Sequence, residues 1–105
     1  AVQYDLPVVI AIVDNGMYGT IRMHQEREYP GRVIATALKN PDFAAYARAF
    51  GGFGVTVDKT ADFANAYEAA RASGKPAIIH LKVDPSAITP MTTIEAIRDK
   101  ALGGK

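Results

Sequence analysis

The sequence predicts an α/β fold in which a parallel sheet carries helices on its faces. Three observations carry that expectation. Residues 7–13 are apolar at odd and even positions alike and rich in β-branched side chains, the pattern of a strand covered on both faces. The later strand-like segments, 53–57 and 76–83, are separated by helical patterns rather than hairpin turns, so pairing is expected to be parallel, through right-handed crossovers. Turn and cap residues (Asp14-Asn15-Gly16, Asn40-Pro41-Asp42, Gly51-Gly52, Gly74) fall between these segments and not within them.

In chain order, residues 1–7 resemble the last turn of a helix running into a strand. After strand 7–13, residues 17–27 read as a helix weakened near its start by Gly19 and Thr20. Residues 28–39, with Pro30 and Gly31, read as a loop long enough to suggest a function or packing against another part. Asn40 is expected to cap the next helix, with Pro41 at its first position and Asp42 beside the positive end of its dipole. Phe43, Ala47 and Phe50 form its apolar face. Strand 53–57 follows, then a helix capped by Thr60 with the stripe Phe63, Ala66, Tyr67 and Ala70, closed by Gly74. Strand 76–83 alternates Ile79, Leu81 and Val83 with Ile78, His80 and Lys82, which places it near a sheet edge. Thr92-Thr93-Ile94-Glu95 reads as a capping box opening a last helix to about residue 102. The expected strand core is Val8, Val9, Ile10, Ile12, Val55, Val57, Ile79 and Leu81, with Phe43, Phe50, Phe63 and Tyr67 packing from the helices; Tyr46 is also expected in the core.

Composition narrows the function. The 105 residues suit one domain, and 49% hydrophobic with 22% charged residues excludes intrinsic disorder. Twelve basic residues against 11 acidic give a net charge of +1, scattered rather than clustered, so no nucleic-acid partner is expected. Cysteine is absent, which excludes disulfides, thiolate zinc sites and thiol catalysis. The longest apolar run, 6–13, is too short to cross a membrane, and the chain is expected to be soluble and cytoplasmic. Neither a dinucleotide fingerprint nor a phosphate-binding Gly-Lys-Ser/Thr loop is present, and Ser73 and Ser86 lie in no nucleophile elbow.

The segment Asp14-Asn15-Gly16-Met17-Tyr18-Gly19-Thr20 remains. It lies at the C-terminal end of a parallel strand, where open α/β sheets hold their ligands. An Asn oxygen and loop carbonyls suit a hard cation such as Mg²⁺. The glycines permit close approach of a diphosphate, and the following helix offers free N–H groups. Asp-Asn-Gly also reads as a plain turn, for conformational reasons alone.

Residues Ile12-Val13-Asp14-Asn15-Gly16-Met17-Tyr18-Gly19 resemble the second half of the thiamine diphosphate motif, which begins Gly-Asp-Gly and ends Asn-Asn. Asn40-Pro41-Asp42-Phe43 with Ala49-Phe50-Gly51 is similar to the helix that follows in that family. Lys75-Pro76-Ala77-Ile78-Ile79-His80-Leu81 is similar to its last strand, and Asp84-Pro85 with Ile88-Thr89-Pro90 to its C-terminal tail. The set is most similar to acetolactate synthase-like enzymes, with benzoylformate and pyruvate decarboxylases as relatives. The resemblance implies that residues 1–105 are the C-terminal portion of a diphosphate-type domain, an incomplete three-layer thiamine diphosphate-binding fold whose N-terminal part is missing. It further implies that Asn15 and the Met17 carbonyl bind Mg²⁺, while Gly16, Tyr18 and Gly19 line the diphosphate of the cofactor. Asp14 stands where the family usually has the first Asn. The Gly-Asp-Gly half, with the other side-chain ligand, is expected upstream.

What the resemblance implies for the parent is a thiamine diphosphate- and Mg²⁺-dependent lyase or transferase acting on a 2-oxo acid by decarboxylation or carboligation, as a homo-oligomer. The isolated chain is expected to be inactive and to assign no catalytic residue of its own. Two other readings stay open: a standalone module for another phosphorylated ligand, and a non-catalytic interaction domain. Among the remaining polar residues, Arg22, His24 and Gln25 follow the loop on a helix that in the family runs near the active-site entrance, and either face substrate or form a solvated helix face. Glu26, Arg27 and Arg32 either anchor a carboxylate or belong to an exposed charged stretch. His80 is expected to be a packed or edge residue rather than a ligand.

Overall fold

The computed structural model describes residues 1–104. The chain folds as two compact units, one made of Ala1–Asp14 with Asn40–Lys82, the other of Asn15–Lys39 with the segment from Val83 onward.

The first unit holds the sheet. Strands β1 (Val9–Asp14), β2 (Phe53–Val57) and β3 (Ala77–Lys82) pair in the order β1-β3-β2, all parallel, as the alternation of strands and helices predicts. A 3₁₀ turn at Val2–Tyr4 leads into β1. The expected edge position of 76–83 is wrong: β3 is the central strand, with Ile10, Ile78 and Gly54 in one row of the register and Ile12, His80 and Thr56 in another. Its polar His80 is tolerated at 1% exposure because both ring nitrogens have partners.

Side-chain alternation divides this sheet between two helices. Ala77, Ile79 and Val57 pack with Ala66 and Ala70 of α3 (Phe63–Ala72), and Val9, Phe53, Val55 and Leu81 lie against that cluster. On the other face, His80 meets Phe43 edge-on at the start of α2 (Phe43–Ala49), and Gly54 lies under Ala44. Alanine, not the aromatic residues, fills both helix–sheet seams. Tyr46 and Phe50 are 55% and 61% exposed and pack on each other, ring centroids 5.2 Å apart; Phe63 and Tyr67 are also exposed and stack beside the α3 seam. The helical stripes are therefore real, but their small members face the sheet.

Strand β1 departs from the expectation that it is covered on both faces. It forms an edge of the described sheet, with Val8 and Ile10 exposed and Val13 67% exposed. Helix starts also shift. Asp42, not Asn40, caps α2 by accepting the Ala45 N–H at 2.9 Å. Thr60 opens a 3₁₀ turn (Thr60–Asp62) ahead of α3 and makes no side-chain cap.

The second unit contains α1 (Gly19–Glu28), the connection 29–39, a short hairpin of β4 (Ala87–Thr89) and β5 (Thr92–Thr93), and α4 (Ile94–Gly103). The hairpin has no counterpart in the sequence-based expectations. Thr93 rather than Thr92 caps α4, accepting from Ala96 N–H at 3.2 Å, and Glu95 takes the Ser86 hydroxyl instead of closing a capping box.

Ile94 is the one fully buried hydrophobic of this unit among the described residues; Glu26 and Thr36 are buried beside it in rank. Glu26, at 0% exposure, is the hub. Arg98 of α4 binds it bidentately, Nη2 to Oε1 at 2.7 Å and Nε to Oε2 at 2.9 Å. Arg22, one helical turn earlier, donates through Nη2 at 2.7 Å and Nε at 3.1 Å, and the Gly31 N–H donates at 2.8 Å. The Arg98 guanidinium, then the Gly31 and Arg22 donors, hold the carboxyl at a pKa of about 2 against the opposing effect of burial. The expectation of an exposed charged stretch at Glu26 is thus overturned: the carboxylate is internal because its donors come from α1, the connection and α4 together.

Two predictions follow from this packing. A Cβ at Gly54 would lie 2.0 Å from the Ala44 carbonyl oxygen, and backbone cannot rotate away as a side chain can. Gly54→Ala should lower stability by about 3 kcal/mol or more, read by urea denaturation. Glu26, with its folded pKa below the ordinary 4.5, contributes stability that is full above that value and is lost as pH falls through about 2. The urea midpoint should fall across this window, and Glu26→Gln should flatten the fall.

Candidate functional site

The loop between β1 and α1 brings Asn15, Gly16, Met17, Tyr18 and Gly19 into a single turn. Asn15 Oδ1 accepts the Met17 N–H at 3.2 Å, a local side-chain bond that closes the turn. Gly16 sits at φ +68°, in the left-handed region, with open space where a side chain would start. The loop is braced from the connection: Gly16 C=O accepts the Leu38 N–H at 2.8 Å, Tyr18 N–H donates to Thr36 C=O at 2.8 Å, and Met17 and Ala37 form an antiparallel bridge. This bracing explains why helix α1 begins at Gly19 and not at Met17. It also gives the long connection a structural role.

Gly19 is required by proximity. A Cβ there would lie 2.9 Å from Asn15 Nδ2 and 2.9 Å from Ile88 Cδ1, so the Asn15 side chain rests over the first turn of α1 only because position 19 has none. Tyr18, the N-cap, makes no side-chain cap, and no acidic residue stands in the first turn. The positive end of the α1 dipole is therefore not compensated by a side chain at its own start.

The donor chemistry of this turn is oxygen only: the Asn15 carboxamide oxygen, whose second lone pair remains beyond the Met17 bond, and main-chain carbonyls. That is the set a hard cation takes. The glycine at 19 and the side-chain-free helix start leave room and N–H donors for a diphosphate. The residues present fit thiamine diphosphate with Mg²⁺. No group of three or more His, Cys, Asp or Glu side chains converges among the described residues.

Of the other residues weighed from sequence, Arg22 is bound to Glu26 and does not form a solvated face with His24, which is exposed. Gln25 ties α1 to the connection, donating to Ile34 C=O at 2.7 Å and accepting from Thr36 Oγ1. Arg27 is exposed, and Arg32 lies over the Tyr29 ring at 5.6 Å.

Two groupings have no counterpart in the sequence reading. One is the Glu26–Arg98 pair: the Arg22–Glu26 spacing of i, i+4 was readable as a helix pair, but Arg98 lies 72 residues away. The other is at the end of β1, in the first unit. Asp14 Oδ2 lies 2.7 Å from His80 Nε2, and its Oδ1 accepts from Asn40 Nδ2 at 2.8 Å. His80 Nδ1 faces the Phe43 N–H at 3.3 Å, which can only donate, so the ring proton resides on Nε2 and points to Asp14. Asn40 thus serves Asp14 rather than the helix it precedes.

Comparison with known proteins agrees with this arrangement. The sequence model of the family described as "Thiamine pyrophosphate enzyme, C-terminal TPP binding domain" matches residues 1–81. The chain is similar to the acetolactate synthase large subunit IlvG of Mycobacterium tuberculosis, 34% identical over 89 residues, covering 85% of this chain and 16% of that protein. It is similar to the putative thiamine pyrophosphate-containing protein YdaP of Bacillus subtilis, 32% identical over 84 residues, or 79% of this chain and 14% of YdaP. A sulfoacetaldehyde acetyltransferase of Castellaniella defragrans is 36% identical over 61 residues, 58% of this chain and 10% of that enzyme. The chain thus spans a small fraction of the length of these relatives. With a parallel β1-β3-β2 sheet, a strand-end loop of oxygen donors and a family match over residues 1–81, the chain belongs to the C-terminal TPP-binding domains of thiamine pyrophosphate enzymes.

Proposed function

We propose that this chain supplies the diphosphate side of a thiamine diphosphate- and Mg²⁺-dependent enzyme acting on 2-oxo acids, of the acetolactate synthase-like group, by decarboxylation or carboligation. The observation that carries the reading is the Asn15 side chain lying over the uncapped start of α1, in space that only glycine at 19 leaves open. In this reading Asn15 Oδ1 and the Met17 carbonyl hold Mg²⁺, and Gly16, Tyr18 and Gly19 present backbone to the diphosphate. When bound, thiamine diphosphate supplies the electron sink for breaking or forming the bond next to the substrate carbonyl. The chain's own contribution is positioning and charge. The turn fixes its oxygen donors before the metal arrives, and the α1 dipole offsets diphosphate charge.

The parent we infer is longer than this segment, homo-oligomeric and cytoplasmic, with the remaining side-chain ligand to Mg²⁺ and the cofactor-activating carboxylate outside residues 1–105. No helix among the described residues is long and apolar enough to cross a membrane. Exposed Leu6, Val8, Ile10 and Val13 along the open strand support association with further protein.

In the parent, Asn15→Ala should weaken thiamine diphosphate binding at least about tenfold with Mg²⁺ present, by calorimetric titration. The fold should be unchanged by circular dichroism. Equal affinity in the two proteins would overturn the assignment. The isolated 105-residue chain should sediment as dimers or larger species and show no 2-oxo acid turnover; a monomer at all concentrations, or turnover, would contradict this reading.

A further inference from the structure

Glu26 is a fully buried charge that the proposed chemistry does not use, and its surroundings connect it to the cofactor loop. Helix α1 has little apolar surface for docking: in Gly-Thr-Ile-Arg-Met-His-Gln-Glu-Arg-Glu only Ile21 and Met23 are hydrophobic, and Ile21 is exposed. Its position within the second unit is set by polar bonds instead. Glu26 takes five, from Arg98, Arg22 and Gly31, and Gln25 takes the connection.

The segment from Val83 onward meets α1 at both ends of this arrangement. Ile88 of β4 lies against Gly19 at the helix start, and Arg98 of α4 grips Glu26 two turns further on. Glu26 lies about 10 Å along the axis from Gly19, so a rotation or slide of α1 at the Glu26 end is transmitted through a stiff helix to the turn that holds Asn15. The connection reinforces the link, since Thr36, bound to Gln25, also accepts the Tyr18 N–H of the loop.

We propose that Arg98 is a positioning residue for the cofactor loop: through its bidentate bond to Glu26 it fixes α1 so that Asn15 and the α1 N-terminus are held ready for Mg²⁺ and diphosphate. The link to cofactor rests on the function proposed above; the link to the loop does not. Coupling of this kind is reciprocal, so loading the loop also tightens α4.

The test uses Arg98→Met, Arg98→Lys and, as a control, Arg71→Met, which breaks only the exposed Glu68–Arg71 pair on α3. The first readout needs no cofactor: the amide resonances of Gly16 and Gly19. Arg98→Met should shift both, Arg98→Lys should shift them less because a lysine keeps the charge without the planar fork, and Arg71→Met should leave them in place. Should Arg98→Met leave Glu26 unpaired and the protein unfolded, Glu26→Gln with Arg98→Met removes the stranded charge and should still shift the loop amides. Unmoved Gly16 and Gly19 amides in a folded Arg98 variant overturn the proposal. The second readout is thiamine diphosphate affinity with Mg²⁺ in the parent, expected to fall at least about fivefold in Arg98→Met and to recover in part in Arg98→Lys. Shifted amides in a protein that never binds the cofactor would keep the positioning role and discard the function proposed for the loop. Shifted amides with undiminished cofactor affinity would overturn the role assigned to Arg98 in binding.

Discussion

A carboxylate taken out of water keeps its charge only where donors meet its lone pairs, and Glu26 satisfies that condition with two guanidiniums and a backbone N–H. The donors come from one turn earlier on α1, from the turn after it and from α4. No two of these pieces are close in sequence to the third, so the ion cluster is what makes them one unit. Removing any donor would leave the carboxylate facing protein instead of water. The arrangement is therefore all-or-none in a way that a cluster of leucines is not, because hydrophobic contact degrades gradually while an unmatched charge does not. The connection at 29–39 gains its order from the same source: Gly31 is anchored to Glu26, and the stretch beyond it closes on the cofactor loop through Thr36 and Leu38.

The first unit works by the opposite means. Its interior is apolar and small: Ala44 and Ala47 on one helix, Ala66 and Ala70 on the other, with Ile79 between the layers. Small residues let the helix backbones come close to the sheet, and Gly54 takes this to contact with the Ala44 carbonyl. Close approach fixes geometry tightly, at the expense of buried area, which explains why the larger aromatic residues lie at the margins in exposed pairs.

The fold class was legible because it rests on short-range pattern. The unbroken apolar run at 7–13, the helical stripes at 43–50 and 63–70 and the glycines that end them are local signals, and the parallel sheet follows from their order. The loop residues Asn15 to Gly19 were legible for the same reason, as a short motif at a strand end. What pattern could not reveal was which member of each stripe faces inward. Periodicity ranks Phe50 with Ala47, and only the distance between helix and sheet decides that alanine fits. Sheet order was equally hidden. His80 and Lys82 suggested an edge, but a polar residue in a central strand is stable once Asp14 and Phe43 satisfy it, and that pairing spans 66 residues. Arg98 has no local signature at all; on its own helix it reads as one more surface charge.

The Asp14 cluster bears on how this loop changes over evolutionary time. In the Phe43–His80–Asp14–Asn40 chain, both the histidine and the Asn40 amide deliver hydrogens to Asp14. An asparagine at 14, the residue the thiamine diphosphate motif usually carries, can accept from only one of them with its oxygen; its NH₂ would confront a second donor. Turning the Asn40 amide over, so that its oxygen faces position 14, removes the conflict without moving backbone. Asp and Asn at this position are thus exchangeable in a single mutational step because a neutral, freely invertible group sits on one side. A lysine or arginine at 40 would close that route and lock the site into the acid.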